Sequence, residues 1–278
     1  MSDASSTPKD RPLTLGSAAV WTLIALFLDL FLLGMTEASR EGAFYDLVSR
    51  TACEALAYSI AFFGILRLHE PETSIRHVLG LKMPSPLAIV LGIALGAALS
   101  LPSEWLDQVL DARFPRPPTE TEALDRILSI ATVGKRITLV ATLVVLQPAF
   151  DELFFRGAIF TPLRRTRSVE TVILASAVLE TVGSLSPRAM LSLFVATLVF
   201  AWMRAATGSV WASMFARMTY YGVAIVPIAL GHDAPKPTRA LLLASGAVGV
   251  VAVLGLGWLA RRRATLAMAA TVTAPPID

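Results

Sequence analysis

The 278-residue sequence contains no asparagine, one cysteine (Cys53) and three histidines (His69, His77 and His232). Each shortage removes a chemistry. A lone cysteine cannot form an internal disulfide, and among apolar neighbours Cys53 suits a small packing residue better than a thiol nucleophile. The histidines fall in expected loops, with no H-E-x-x-H and no Cys/His cluster, so neither a metal centre nor a cofactor is expected. Ser184 and Ser186 share a turn without a histidine for a triad. Gly134-Lys135 lacks both the earlier glycine and the following Ser/Thr of a phosphate loop, and reads as a basic helix cap. Charge is scarce as well, at 16% Asp, Glu, Lys and Arg. The net charge of +3 is spread over short loops and tails. No basic stripe interleaved with aromatics exists, which sets nucleic acid aside as a partner.

Apolar residues are what the chain has in abundance, at 55% with a mean hydropathy of +0.64. That composition belongs to an all-α integral membrane protein whose first partner is the lipid bilayer. Eight transmembrane helices are expected: Ser17 to Met35, Thr51 to Leu68, Pro86 to Leu101, an apolar run from Thr138, Glu170 to Ser184, Ala189 to Met203, Val210 to Leu230 and Arg239 to Ala260. Pro102 to Arg136 is the longest polar section. Its prolines break it, and Glu104 to Ala112 and Glu122 to Ile130 read as additional interfacial helices. The organisation is a polar tail (1–12), one multi-helix membrane domain (13–263) and a disordered tail (264–278). An even number of spans puts both termini on one side. Arg164, Arg165, Arg167 and Arg261 to Arg263 fall there too, which makes that side the cytoplasmic face of the cell (inner) membrane.

One stretch places acids where they are expensive. Asp151, Glu152 and Arg156 sit at the end of the apolar run Thr138 to Ala149, where a carboxylate in hydrocarbon costs roughly 2.5 to 3.5 kcal/mol on insertion scales. Glu152 and Arg156 have the favourable order for an i,i+4 ion pair. Arg156 needs only one acid, and Asp151 points about 100° away, which suggests a second task. Pro148 should loosen the helix just before these acids. Arg217, amid the apolar residues from Trp211 to Val226, needs an acid as well, with Asp151, Glu152 and Glu180 as the candidates.

The run Asp151-Glu152-Leu153-Phe154-Phe155-Arg156-Gly157 resembles motif one, E-E-x-x-x-R with a following glycine, of the CPBP family of CAAX-protease and bacteriocin-processing intramembrane proteins. The resemblance covers roughly residues 138–225. Within it, Thr207-Gly208-Ser209-Val210-Trp211 is similar to the family's T-G-S-L-W. In the family, F-x-x-x-H and H-x-x-x-N complete a polar site with the motif-one glutamate. Here the motif-three positions fall on Arg217 and Tyr221. Motif two falls on Glu180 with Ser184, or on Leu179 with Gly183 in a register one residue shorter. Asp151 stands where the family has its water-activating glutamate.

Two readings follow from the resemblance. In the first, the protein is a degenerate relative that binds or scaffolds a membrane-anchored protein or peptide tail. In the second, it is a divergent endopeptidase cleaving the tail or transmembrane segment of exported proteins, with Asp151 as base and Arg217 as oxyanion donor in place of histidine.

Overall fold

Thr14, Asp46 and Ser85 each turn a side-chain oxygen onto a free backbone N–H at the start of an apolar helix, which fixes where the first three long helices begin. The computed structural model describes residues 12–128, 132–184 and 189–272. Within these residues the chain forms ten helices: α1 (Leu15–Ser39), α2 (Leu47–His69), the single turn α3 (Ile75–Val78), α4 (Pro86–Arg113), α5 (Pro118–Leu128), α6 (Val133–Arg164), α7 (Val169–Gly183), α8 (Met190–Thr207), α9 (Val210–Ala229) and α10 (Arg239–Val272). The chain is an all-α, multi-pass membrane protein.

Of the eight expected spans, six are long and apolar enough to cross a membrane by length and composition. The exceptions have physical reasons. The 15 residues of α7 extend only roughly 22 Å, and α9 carries Arg217, Tyr220 and Tyr221 in its apolar sequence. The exteriors of α1 and α10 are lined by exposed Leu23, Phe27, Phe31, Leu243, Val251 and Leu254, as a lipid-facing surface requires.

Several boundaries differ from expectation. The third crossing does not stop at Leu101: α4 runs through Pro102 to Arg113 and absorbs the expected interfacial helix Glu104–Ala112. Only the second expected surface helix stands alone, as α5. The cap at Asp46 starts α2 four residues earlier than expected, which puts Glu54 two turns inside the helix and not at its dipole end. α10 continues to Val272, so residues 264–272 are helical where a disordered tail was expected. His69 is the last residue of α2 and not in a loop; it accepts a hydrogen bond from Trp21 Nε1 at 3.2 Å. Residues 1–11 of the expected N-terminal tail (1–12) and the Ser186-Pro187 turn lie outside the described residues.

Two apolar clusters build the interior. One gathers Phe154, Phe155, Phe160, Ala61, Ile65 and Val172 among α1, α2, α6 and α7. The other gathers Leu95, Phe200, Met203, Ala212 and Leu256 among α4, α8, α9 and α10. Close approach in the second depends on two glycines. A Cβ on Gly96 would lie 1.9 Å from the Ala216 carbonyl oxygen, and one on Gly92 would lie 2.9 Å from that of Ala212. The backbones of α4 and α9 therefore touch, and this contact fixes the position of Arg217, one residue after Ala216.

Candidate functional site

α6 is not a uniform helix. Pro148 has no N–H to give, and the chain widens into a π-helical turn at Ala141–Leu146 just before it; a second wide turn follows at Glu152–Ile159, with Gln147–Asp151 between them. The second wide turn carries Glu152 and Arg156, directly after Asp151. The Arg156 carbonyl oxygen accepts from Arg204 Nε at 3.0 Å, and Arg204 Nη2 also donates to Thr161 Oγ1 at 3.0 Å. Arg204 was not singled out in the sequence. Nothing short of the turn geometry marks it, because an arginine in the last turn of α8 reads as an interfacial residue.

Five charged side chains from three helices converge where the two apolar clusters meet: Asp151, Glu152 and Arg156 from α6, Glu180 from α7 and Arg217 from α9. None is more than 6% exposed, and Glu152 and Arg156 are wholly buried. Arg217 is the hub. Its Nη2 lies 2.6 Å from Asp151 Oδ2, and its Nη1 lies 3.3 Å from Glu152 Oε1 and pairs with Glu180 Oε1. Glu180 in turn uses Oε2 for Arg156 Nη1. Arg156 Nη2 donates to the Thr197 carbonyl at 2.6 Å. The i,i+4 pair expected from spacing is present but long, with Arg156 Nε 3.6 Å from Glu152 Oε1. Glu180, not Glu152, is the nearer acid to Arg156.

The remaining candidates divide. Glu180 turns inward, whereas Leu179 packs among the apolar residues of the first cluster. Ser184 is exposed, donates to the Thr181 carbonyl of its own helix and takes no part in the cluster. Tyr221 comes near through its ring, whose centroid is 5.9 Å from the Arg217 guanidinium carbon; Phe200 lies at the same distance. Tyr58 on α2 is a residue that sequence reasoning missed. Its hydroxyl donates to Asp151 Oδ1 at 3.3 Å, and its ring stacks on Phe154 at 4.6 Å. A tyrosine in an apolar helix carries no signal of this kind until α2 and α6 are seen side by side.

Chemically, the arrangement is an ion-pair ring. Asp151 is bonded on one oxygen by a guanidinium and on the other by a phenol, one donor to each oxygen. Arg217 is permanently charged and can donate hydrogen bonds but cannot shuttle a proton. Three carboxylates face two guanidiniums, which leaves one surplus negative charge. Glu152 is the least tightly held acid, because its Oε2 takes no hydrogen bond from the described residues.

Comparison with curated proteins and with solved structures gives no match. Residues 134–223, which span α6 to the middle of α9 and include all five charged residues, match the family model described as type II CAAX prenyl endopeptidase Rce1-like. Motif, order of helices and this match agree: within residues 134–223 the chain is similar to the CPBP family, with motif one largely kept and the histidines and asparagine of motifs two and three replaced.

Proposed function

We propose that this CPBP-type intramembrane protein has a degenerate, non-proteolytic site and serves to bind or scaffold a membrane-anchored protein or peptide tail. The observation that carries this reading is the placement of Arg217. It engages Asp151, Glu152 and Glu180 together, at the position where the family motif has a histidine. A general base must draw a proton from a water within about 3 Å, and the developing oxyanion needs donors aimed at it. Here the would-be base is neutralised by the would-be donor. Both groups serve the fold, and the family's binding surface is what remains for function. The bundle lies in the cell (inner) membrane with both termini on the cytoplasmic side, the side where basic residues collect.

One observation favours the second reading, an active divergent endopeptidase. Asp151 is the most exposed of the three acids, at 6%, and keeps a hydroxyl donor in Tyr58. Incubating purified protein with membrane-anchored tails, wild type beside Asp151→Ala and Glu152→Ala, separates the two. Cleavage by wild type alone supports the protease.

A further inference from the structure

The two ends of the bundle differ sharply in charge. Contacts define the first end: Arg165 pairs with Glu70 at 2.8 Å, Thr166 donates to the Leu13 carbonyl at 3.1 Å, Val210 N–H donates to the Gly80 carbonyl at 3.1 Å and Arg263 bonds the Thr207 carbonyl. These bonds tie the start of α1, the α2–α4 connection, the α6–α7 and α8–α9 turns and the last turns of α10 into one surface. Residues 67–82, 161–170, 204–209 and 258–265 hold ten Lys or Arg and three Asp or Glu. The opposite end is held together by Asp107 accepting from Ser192 at 2.6 Å and by Arg126 over the Tyr45 ring at 5.3 Å. Its described segments, 36–50, 104–128, 132–136 and 230–239, hold nine Lys or Arg and ten Asp or Glu.

The basic end is accessible. Arg76, Lys82, Arg167 and Arg261 are exposed and make no side-chain hydrogen bond or ion pair with the described residues. They are therefore not spent on internal acids, as Arg165 is on Glu70. Arg262 lies over the ring of Trp258, itself 53% exposed on a lipid-facing helix, at 5.4 Å. An indole with a guanidinium above it is the arrangement that holds a helix end at headgroup depth.

We propose that this end is a docking surface for anionic phospholipid headgroups, such as phosphatidylglycerol, in the leaflet it faces. The charge is sited for it. A guanidinium at headgroup level meets phosphate oxygens with complementary geometry and charge, and several around one rim hold a shell of anionic lipid against exchange with neutral lipid. The opposite end, with balanced charge, has no such preference.

The test uses the full chain in nanodiscs of phosphatidylcholine with a quarter of phosphatidylglycerol, and spin-labelled analogues of each lipid to read selectivity at the protein. Wild type is expected to favour phosphatidylglycerol several-fold. Arg76→Gln/Arg167→Gln/Arg261→Gln should bring the ratio close to one, with each lost charge lowering it by up to about fivefold. Arg113→Gln/Lys236→Gln/Arg239→Gln, at the other end, should leave it unchanged. Free inorganic phosphate at millimolar concentration should not displace the lipid, since a soluble ion lacks the anchoring of the bilayer. A wild-type ratio of one, a triple basic-end variant that retains wild-type selectivity, or displacement by inorganic phosphate would each overturn the proposal.

Discussion

Arg217 Nη2 lies 2.6 Å from Asp151 Oδ2, across 66 residues of sequence and inside the apolar interior. The contact joins α6 to α9 and places a fixed positive charge on Asp151.

Loss of Arg217 should cost more stability than loss of any single acid. Arg217→Ala leaves Asp151 without a cationic partner and takes one of two from Glu152 and Glu180, and breaking a buried pair by removing one partner typically costs about 3–5 kcal/mol. Arg217→Lys should recover only part of this, because one ammonium cannot span Asp151, Glu152 and Glu180. Thermal unfolding in detergent reads both; a wild-type transition for Arg217→Ala would count against the hub.

The acids should not be equivalent. Glu180 holds both arginines, so Glu180→Gln is expected to lower stability by about 3 kcal/mol. Glu152 has contacts of 3.3 and 3.6 Å only and belongs to a cluster with surplus negative charge. Glu152→Gln keeps its shape and removes that surplus, so it should stay within about 1 kcal/mol of wild type. Unfolding midpoints in the opposite order would contradict the charge balance described.

Tyr58→Phe deletes one hydrogen bond to Asp151 and keeps the stack on Phe154. The expected loss is about 1 kcal/mol, and adding it to Arg217→Ala should be non-additive, since both act on Asp151. A double-mutant cycle measures the coupling; strict additivity would place Tyr58 outside the network.

Gly96→Ala should separate α4 from α9, because its Cβ meets the Ala216 carbonyl oxygen at 1.9 Å. Overpacking of this kind costs about 1–3 kcal/mol or more. Gly246→Ala on α10 meets open space and should be tolerated or slightly stabilising. Equal unfolding temperatures for the two variants would deny the close helix contact.

What could be read in the sequence was the part governed by local spacing and by the cost of charge in hydrocarbon. Asp151, Glu152 and Arg156 stand out because nothing else in their apolar run is ionisable, and Arg217 demanded an acid for the same reason. The sharing of Glu180 between Arg156 and Arg217 was not legible, since it depends on α6, α7 and α9 meeting at one depth. Tyr58 and Arg204 were missed for a related cause: a phenol or a terminal arginine is cheap in a membrane helix and leaves no trace in composition. Pro102 misled in the other direction, since a proline reads as a break until α4 is seen to continue past it.

The most direct measurement is cleavage of membrane-anchored tails by wild type, Asp151→Ala, Arg217→Ala and Arg217→His in the same detergent. A degenerate site is expected to give no product above background with any of the four, while Arg217→Ala loses thermal stability. Product formation by wild type that disappears in both Asp151→Ala and Arg217→Ala would contradict it and establish an active endopeptidase.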